Sequence, residues 1–173
     1  MPSLPRSDPP PVRLTLDPAF RPCEPEEEDE LYPNGIFEFN ITRLLAYIGA
    51  AERFCVEAVA LESIPHAGSG AGLDGRAVAA ADLTRPVILA EIAPGRYNLI
   101  DGHHRVAKAR GEGVPRIPAY RVRCPEHVAF LTSTRAYEAY VEYWNSKADE
   151  ASTHRPRRRR TRGGGAGNMR RPP

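Results

Sequence analysis

Apolar positions recur along the middle of the chain with two periods, and each period predicts a different kind of element. Ile41, Leu44, Leu45 and Ile48 repeat at helical spacing behind Asn40, which is suited to cap a helix start. Phe54 to Leu61 alternates apolar and mixed residues and reads as a strand. His66 to Gly72 is a glycine-rich loop, and Asp74 to Leu83 is a short alanine-rich helix. Val87 to Ile92 is a strand, Pro94-Gly95 a turn, and Tyr97 to Ile100 the returning strand. A helix follows over His104 to Ala109, stopped by Gly111, and Ile117 to Val122 is another strand. Pro125 opens a short helix, and Ser133 caps a longer one bearing Ala136, Tyr137, Tyr140, Val141 and Trp144 on one face. That aromatic stripe recurs at i, i+3, i+4 and i+7, so it reads as core packing rather than a surface for stacking bases. The order predicts an α+β fold with a small mixed sheet.

Composition changes the picture at the two ends. Nine of the 18 prolines fall in the first 33 residues, beside the acidic run Glu24-Pro25-Glu26-Glu27-Glu28-Asp29-Glu30. Such a stretch buries too little apolar surface to offset its ordering entropy, so residues 1–30 are expected to be a disordered arm. Residues 150–173, with Arg157, Arg158, Arg159 and Arg160 and a glycine run, are expected to be a disordered tail. The folded body is then residues 31–149. The net charge of +2 hides an asymmetry: residues 155–173 hold eight Arg and no acid. Taking those eight from the 24 basic residues leaves 16 against 22 acidic, a body at −6.

Cys23, Cys55 and Cys124 lie far apart, and no Cys-x-x-Cys is present, which argues against a disulfide framework or a zinc site. Cys55 is expected to be a buried small hydrophobe. No apolar run is long enough to span a membrane, and the proline-rich N-terminus has no apolar signal core. The expected compartment is the cytoplasm, with no membrane partner.

Candidate chemistry concentrates in Tyr97-Asn98-Leu99-Ile100-Asp101-Gly102-His103-His104-Arg105. A strand ends, a glycine turn follows, and a helix begins at once. The first turn of a helix has free N–H groups at a positive dipole end, which makes a ready anion site. Gly102 permits the tight turn and close approach of a ligand. Arg105 offers a planar fork of donors suited to phosphate, and His103 and His104 can donate to phosphate oxygens or shuttle a proton. Two plainer readings stand beside this one: a surface turn with solvated histidines, or an Asp101–Arg105 pair that only caps the helix.

Three segments in order make the chain resemble the ParB/sulfiredoxin superfamily over Phe54 to Arg123, a little under half of its length. They are Arg85-Pro86-Val87-Ile88-Leu89, then Asn98 to Arg105, then Gly113-Val114-Pro115-Arg116-Ile117-Pro118-Ala119-Tyr120. The resemblance implies a ParB/sulfiredoxin-like small mixed sheet with flanking helices; Leu31 to Ala51 and Pro125 to Lys147 would be additions packed on it. It implies an NTP phosphate held by Gly102, His104 and Arg105 with Pro86 nearby, Asp101 holding Mg²⁺, and Asp101, His103 and His104 as catalytic groups.

The branches of the superfamily differ in what they require. Sulfiredoxin-like repair needs a cysteine where this chain has His103. A centromere-reading partition protein needs further DNA-binding and dimerisation regions, but only about 50 residues follow Val122. Free-serine kinases carry a box very like Asp101-Gly102-His103-His104-Arg105, together with an acid where this chain has Ala67; Glu62 or Glu57 would replace it only in a shifted register. The expectation is therefore an NTPase or phosphotransferase. The alternative is a DNA-binding protein or nuclease of the same fold, with Asp101 and Glu91 as acids and the arginine tail as its nucleic-acid arm. A non-catalytic interaction module is the third reading, and a homodimer is carried as one possible assembly.

The tail makes a separate expectation. Eight arginines that all engage phosphates would give a log–log salt slope on duplex DNA of at most about −7. Deleting residues 152–173 is expected to lower DNA affinity at low salt; unchanged affinity refutes the assignment.

Overall fold

The computed structural model describes residues 11–65 and 72–153. Strands β1 (Leu31–Asn34) and β2 (Phe37–Asn40) pair antiparallel as a hairpin that periodicity did not predict. Gly35 turns it with φ +68°, at the first position of a two-residue loop, where such hairpins favour glycine. Helix α1 (Ile41–Ala50) starts at once, and the Asn40 side chain accepts from the Arg43 N–H as expected of a cap.

The main sheet has β3 (Glu57–Ala60), β4 (Val87–Ala93), β5 (Arg96–Asp101) and β6 (Arg116–Val122), in the order β3-β6-β4-β5. Only β4 and β6 run parallel; the other neighbours are antiparallel. Four α-helices complete the described elements: α1, α2 (Gly75–Ala80), α3 (His103–Gly111) and α4 (Thr134–Thr153). The chain is thus mixed α+β. The strand expected over Phe54 to Leu61 shrinks to the four residues that find partners on β6, and Leu61–Ser63 closes as a 3₁₀ turn. Pro125 leads into a 3₁₀ helix, Glu126–Phe130.

Strand β4 lies inside the sheet with both faces covered, as its apolar run requires. Alternation divides its side chains between two cores. Val87 and Leu89 join Val59, Leu99, Ile117, Val106 and Ala109 under α3. Ile88, Ala90 and Ile92 face the larger core, built with Phe37, Phe39, Leu44, Tyr137, Tyr140 and Trp144. The segments expected to be additions therefore supply most of one core. Each large apolar side chain buried there stabilises the fold by about 2 kcal/mol. The aromatic stripe of α4 is core, and the Ser133 hydroxyl accepts from the Ala136 N–H at the helix start.

Tyr140 also carries polar links through this core. Its hydroxyl donates to the Glu91 carbonyl at 3.0 Å and shares a hydrogen bond of 2.9 Å with Nε2 of fully buried His127. Burial pushes the His127 imidazole down to about 4, so it is neutral at pH 7.

Residues 11–30 are not a free arm. Residues 12–20 lie along α4, where the Asn145 amide clasps Leu14 on both sides, accepting from its N–H at 2.8 Å and donating to its carbonyl at 2.9 Å. The Trp144 indole donates to the Val12 carbonyl, the Asp17 N–H donates to the Tyr137 hydroxyl, and Phe20 stacks on Tyr137 at 3.9 Å. Asp29 closes the strap: the Glu26 N–H and the Asn40 amide donate to its carboxylate and hold it below its ordinary value. At the other end, α4 runs through Thr153 and crosses the boundary expected at residue 150. Residues 1–10 and 154–173, including Arg157 to Arg160, and 66–71, including Ala67, lie outside the described residues.

Cys55 is exposed, not buried; Cys124 is half-buried, and desolvation pushes its thiol up to about 11. Among the described residues, no helix is long and apolar enough to cross a membrane.

Asn145→Ala removes both bonds to Leu14 and is expected to cost about 1–3 kcal/mol in urea unfolding. A change within about 0.5 kcal/mol, the ordinary result at a free surface, would show that the strap is not held.

Candidate functional site

The turn between β5 and α3 depends on a residue without a side chain. Gly102 has φ +97°, and a Cβ built there would lie 2.5 Å from Val87 Cγ1 and 3.0 Å from Arg105 Nε. The crowding that demands glycine thus comes from the neighbouring strand and the clamp, not from an incoming phosphate. Because Gly102 is also the cap position, no side chain caps α3, which leaves its first N–H groups without that partner.

Arg105 and Asp101 form the pair that the plainer reading expected. The Arg105 guanidinium donates from Nη2 to Asp101 Oδ2 at 2.8 Å and from Nη1 to the Pro86 carbonyl at 3.1 Å, with both side chains about one-eighth exposed. Pro86 is therefore tied to the site through its carbonyl. The pair joins the start of β4, the end of β5 and the first turn of α3, yet it does not cap the helix. Asp101 Oδ1 has no hydrogen-bond partner among the described residues.

A cleft of about 1290 Å³ opens over this turn, lined by Asp101 to Arg105, by β1 residues and by the region of α2. His104 lines it, half-buried. His103 stacks on Tyr32 at 4.8 Å, its Nε2 buried without a partner. Burial lowers the His103 pKa against the opposing pull of Asp101, so the ring is neutral at pH 7. Arg85, exposed at the cleft, makes no direct ion pair among the described residues and lies within electrostatic reach of Asp82, which also lines the cleft. Its place before Pro86 is visible in the sequence, but its position at the cleft is not.

Other candidate groups lie elsewhere. Glu91 turns away from Asp101; its carboxylate accepts from Gly95 N–H at 2.8 Å and Cys124 N–H at 3.2 Å. Glu57 pairs with Arg121, and Glu62 is exposed in the 3₁₀ turn; neither lines the cleft. No group of three or more His, Cys, Asp or Glu among the described residues could hold a metal ion alone. A Mg²⁺ ion that shares substrate phosphates needs only one or two carboxylates, and Asp101 fits that lesser demand.

Gly102→Ala combines an unfavourable φ with overlap against Val87. It is expected to destabilise the fold by about 3 kcal/mol, read as a lowered urea midpoint. An unchanged midpoint would refute the packing role assigned to this glycine.

Comparison of the chain with family models, curated proteins and solved structures found no match.

Proposed function

We propose that the chain binds the phosphates of an NTP at the Asp101–Arg105 turn and hydrolyses the nucleotide or transfers its terminal phosphoryl group, on a fold of ParB/sulfiredoxin type. The uncapped start of α3, opening into the cleft beside His104 and Arg85, carries this reading. The backbone N–H groups and His104 donate to phosphate oxygens, and the helix dipole adds to their attraction. Arg85 supplies a further cation at the cleft. Arg105 acts chiefly through position, fixing Asp101 and the helix start. Asp101 would hold Mg²⁺ through Oδ1 or an intervening water, and the ion would neutralise phosphate charge. His103, neutral at pH 7 and in the cleft wall, would take a proton from the attacking hydroxyl or water at Nδ1, since its Nε2 is buried. The turning away of Glu91 favours this reading over a nuclease that would pair it with Asp101.

A thermal-shift series with ATP, ADP, CTP and GTP, with and without Mg²⁺, is expected to find a nucleotide that raises Tm. His104→Ala and Arg85→Ala should each weaken that binding about tenfold while leaving the unliganded Tm near wild type. Arg105→Ala should lower the unliganded Tm. No nucleotide shift, or wild-type affinity in both His104→Ala and Arg85→Ala, overturns the proposal.

A further inference from the structure

A second opening, of about 320 Å³, shares no lining residue with the cleft. Arg53, Arg121 and Arg123 line it, with Phe54, Tyr97 and Cys55. The Arg53 guanidinium lies over the rings of Tyr47 and Phe54, 5.1 Å from each centroid, and Arg121 lies over Tyr97 at 5.0 Å. These cation–ring contacts, with the bond from Arg53 Nη2 to the Tyr47 hydroxyl, restrain the guanidiniums and limit the rotamer entropy that a ligand must remove.

Charge is only partly balanced there. Arg53 Nε donates to Glu126 at 2.7 Å, and Arg121 Nε approaches Glu57 at 3.3 Å. Arg123 is exposed and makes no ion pair among the described residues; it lies beside the Tyr97 phenol. Three guanidiniums therefore face two carboxylates on a body whose overall charge is negative.

We propose that this opening binds single-stranded nucleic acid, with Arg123 on a backbone phosphate and an unpaired base against the guanidiniums and rings. Guanidinium forks match phosphate oxygens in geometry. Aromatic and guanidinium planes accept the face of any base, so the site is tolerant of sequence. The recess has the size of one small ligand, and a duplex keeps its bases inside, unavailable for such stacking. This surface shares no residue with the nucleotide cleft.

Cys55 provides a local readout because it is exposed and lines the opening. The full chain is alkylated with a maleimide in the presence of an eight-nucleotide oligothymidylate, and Cys55 labelling is followed by peptide mass spectrometry. The oligonucleotide is expected to slow labelling of Cys55 at least about fivefold at saturation, whereas a duplex of equal length does not. Arg123→Ala should raise the half-protecting concentration about tenfold and make the salt slope shallower by about 0.7, with Tm unchanged. Both proteins carry the tail, so tail binding cannot produce the difference. Unchanged Cys55 labelling with the oligonucleotide bound, equal protection of Arg123→Ala, or equal protection by inorganic phosphate would each overturn the proposal. The last result would assign the pocket to small anions.

Discussion

The Arg105 guanidinium fixes the geometry on which the rest of the candidate site depends. It reaches the Pro86 carbonyl before β4 and the Asp101 carboxylate at the end of β5 while standing in the first turn of α3. Gly102 lets α3 approach closely enough for this, with its backbone against Val87. The other long cations of α3 act similarly. Lys108 donates to the carbonyls of Ala79 and Ala81 at the end of α2, and Arg110 donates to the Ile64 carbonyl. The basic residues of this helix are thus largely struts to backbone oxygens. What remains available to an anion is the helix start, His104 and Arg85. Breaking one partner of a well-covered ion pair leaves the other without compensation, which is why such a clamp resists substitution.

A second anchorage holds the opposite face. Helix α4 buries its aromatic stripe against β2 and β4, then uses its remaining side to recognise the backbone of the strap. Asn145, Trp144 and Tyr137 all address main-chain groups of residues 12–17. Recognition of that kind makes small demands on strap sequence, and it explains how a segment poor in apolar residues is nonetheless ordered. From the strap the chain passes through Asp29, bound by Asn40, into the hairpin that puts Tyr32 on His103. The far end of the molecule is in this way connected to one wall of the cleft.

The elements legible in the sequence were those whose stability is mostly local or periodic. Asn40 announced α1, the spacing of Tyr137, Tyr140 and Trp144 announced α4, and Pro94-Gly95 announced the turn between β4 and β5. The β1–β2 hairpin is hidden because each strand is only four residues long, and Pro33 in β1 speaks against a strand except where an edge is free. The strap was hidden because composition counts buried surface and cannot count a clasp formed with residues more than 100 positions away. At the site, the four-residue spacing of Asp101 and Arg105 suggested a pair, but its tie to the Pro86 carbonyl depends on tertiary packing. The ordinary burial of free cysteines misleads at Cys55, which precedes the residues of β3 that pair with β6 from Glu57 onward.

The two openings differ in what they fix in space. At the cleft the donors are backbone N–H groups, whose directions are set by the helix, with a histidine beside them. Such an array favours a compact anion whose oxygens can all turn toward one point. At the recess the donors are guanidinium groups interleaved with aromatic rings. Such a mixed surface favours a ligand that carries both negative charge and an apolar face. The proposed nucleotide would use the first arrangement through its phosphates, and the proposed single strand would use the second through its phosphates and bases. The physical distinction is therefore between donors that converge on one point and donors interleaved with rings, and it separates the two ligands without any change in the sign of the charge involved.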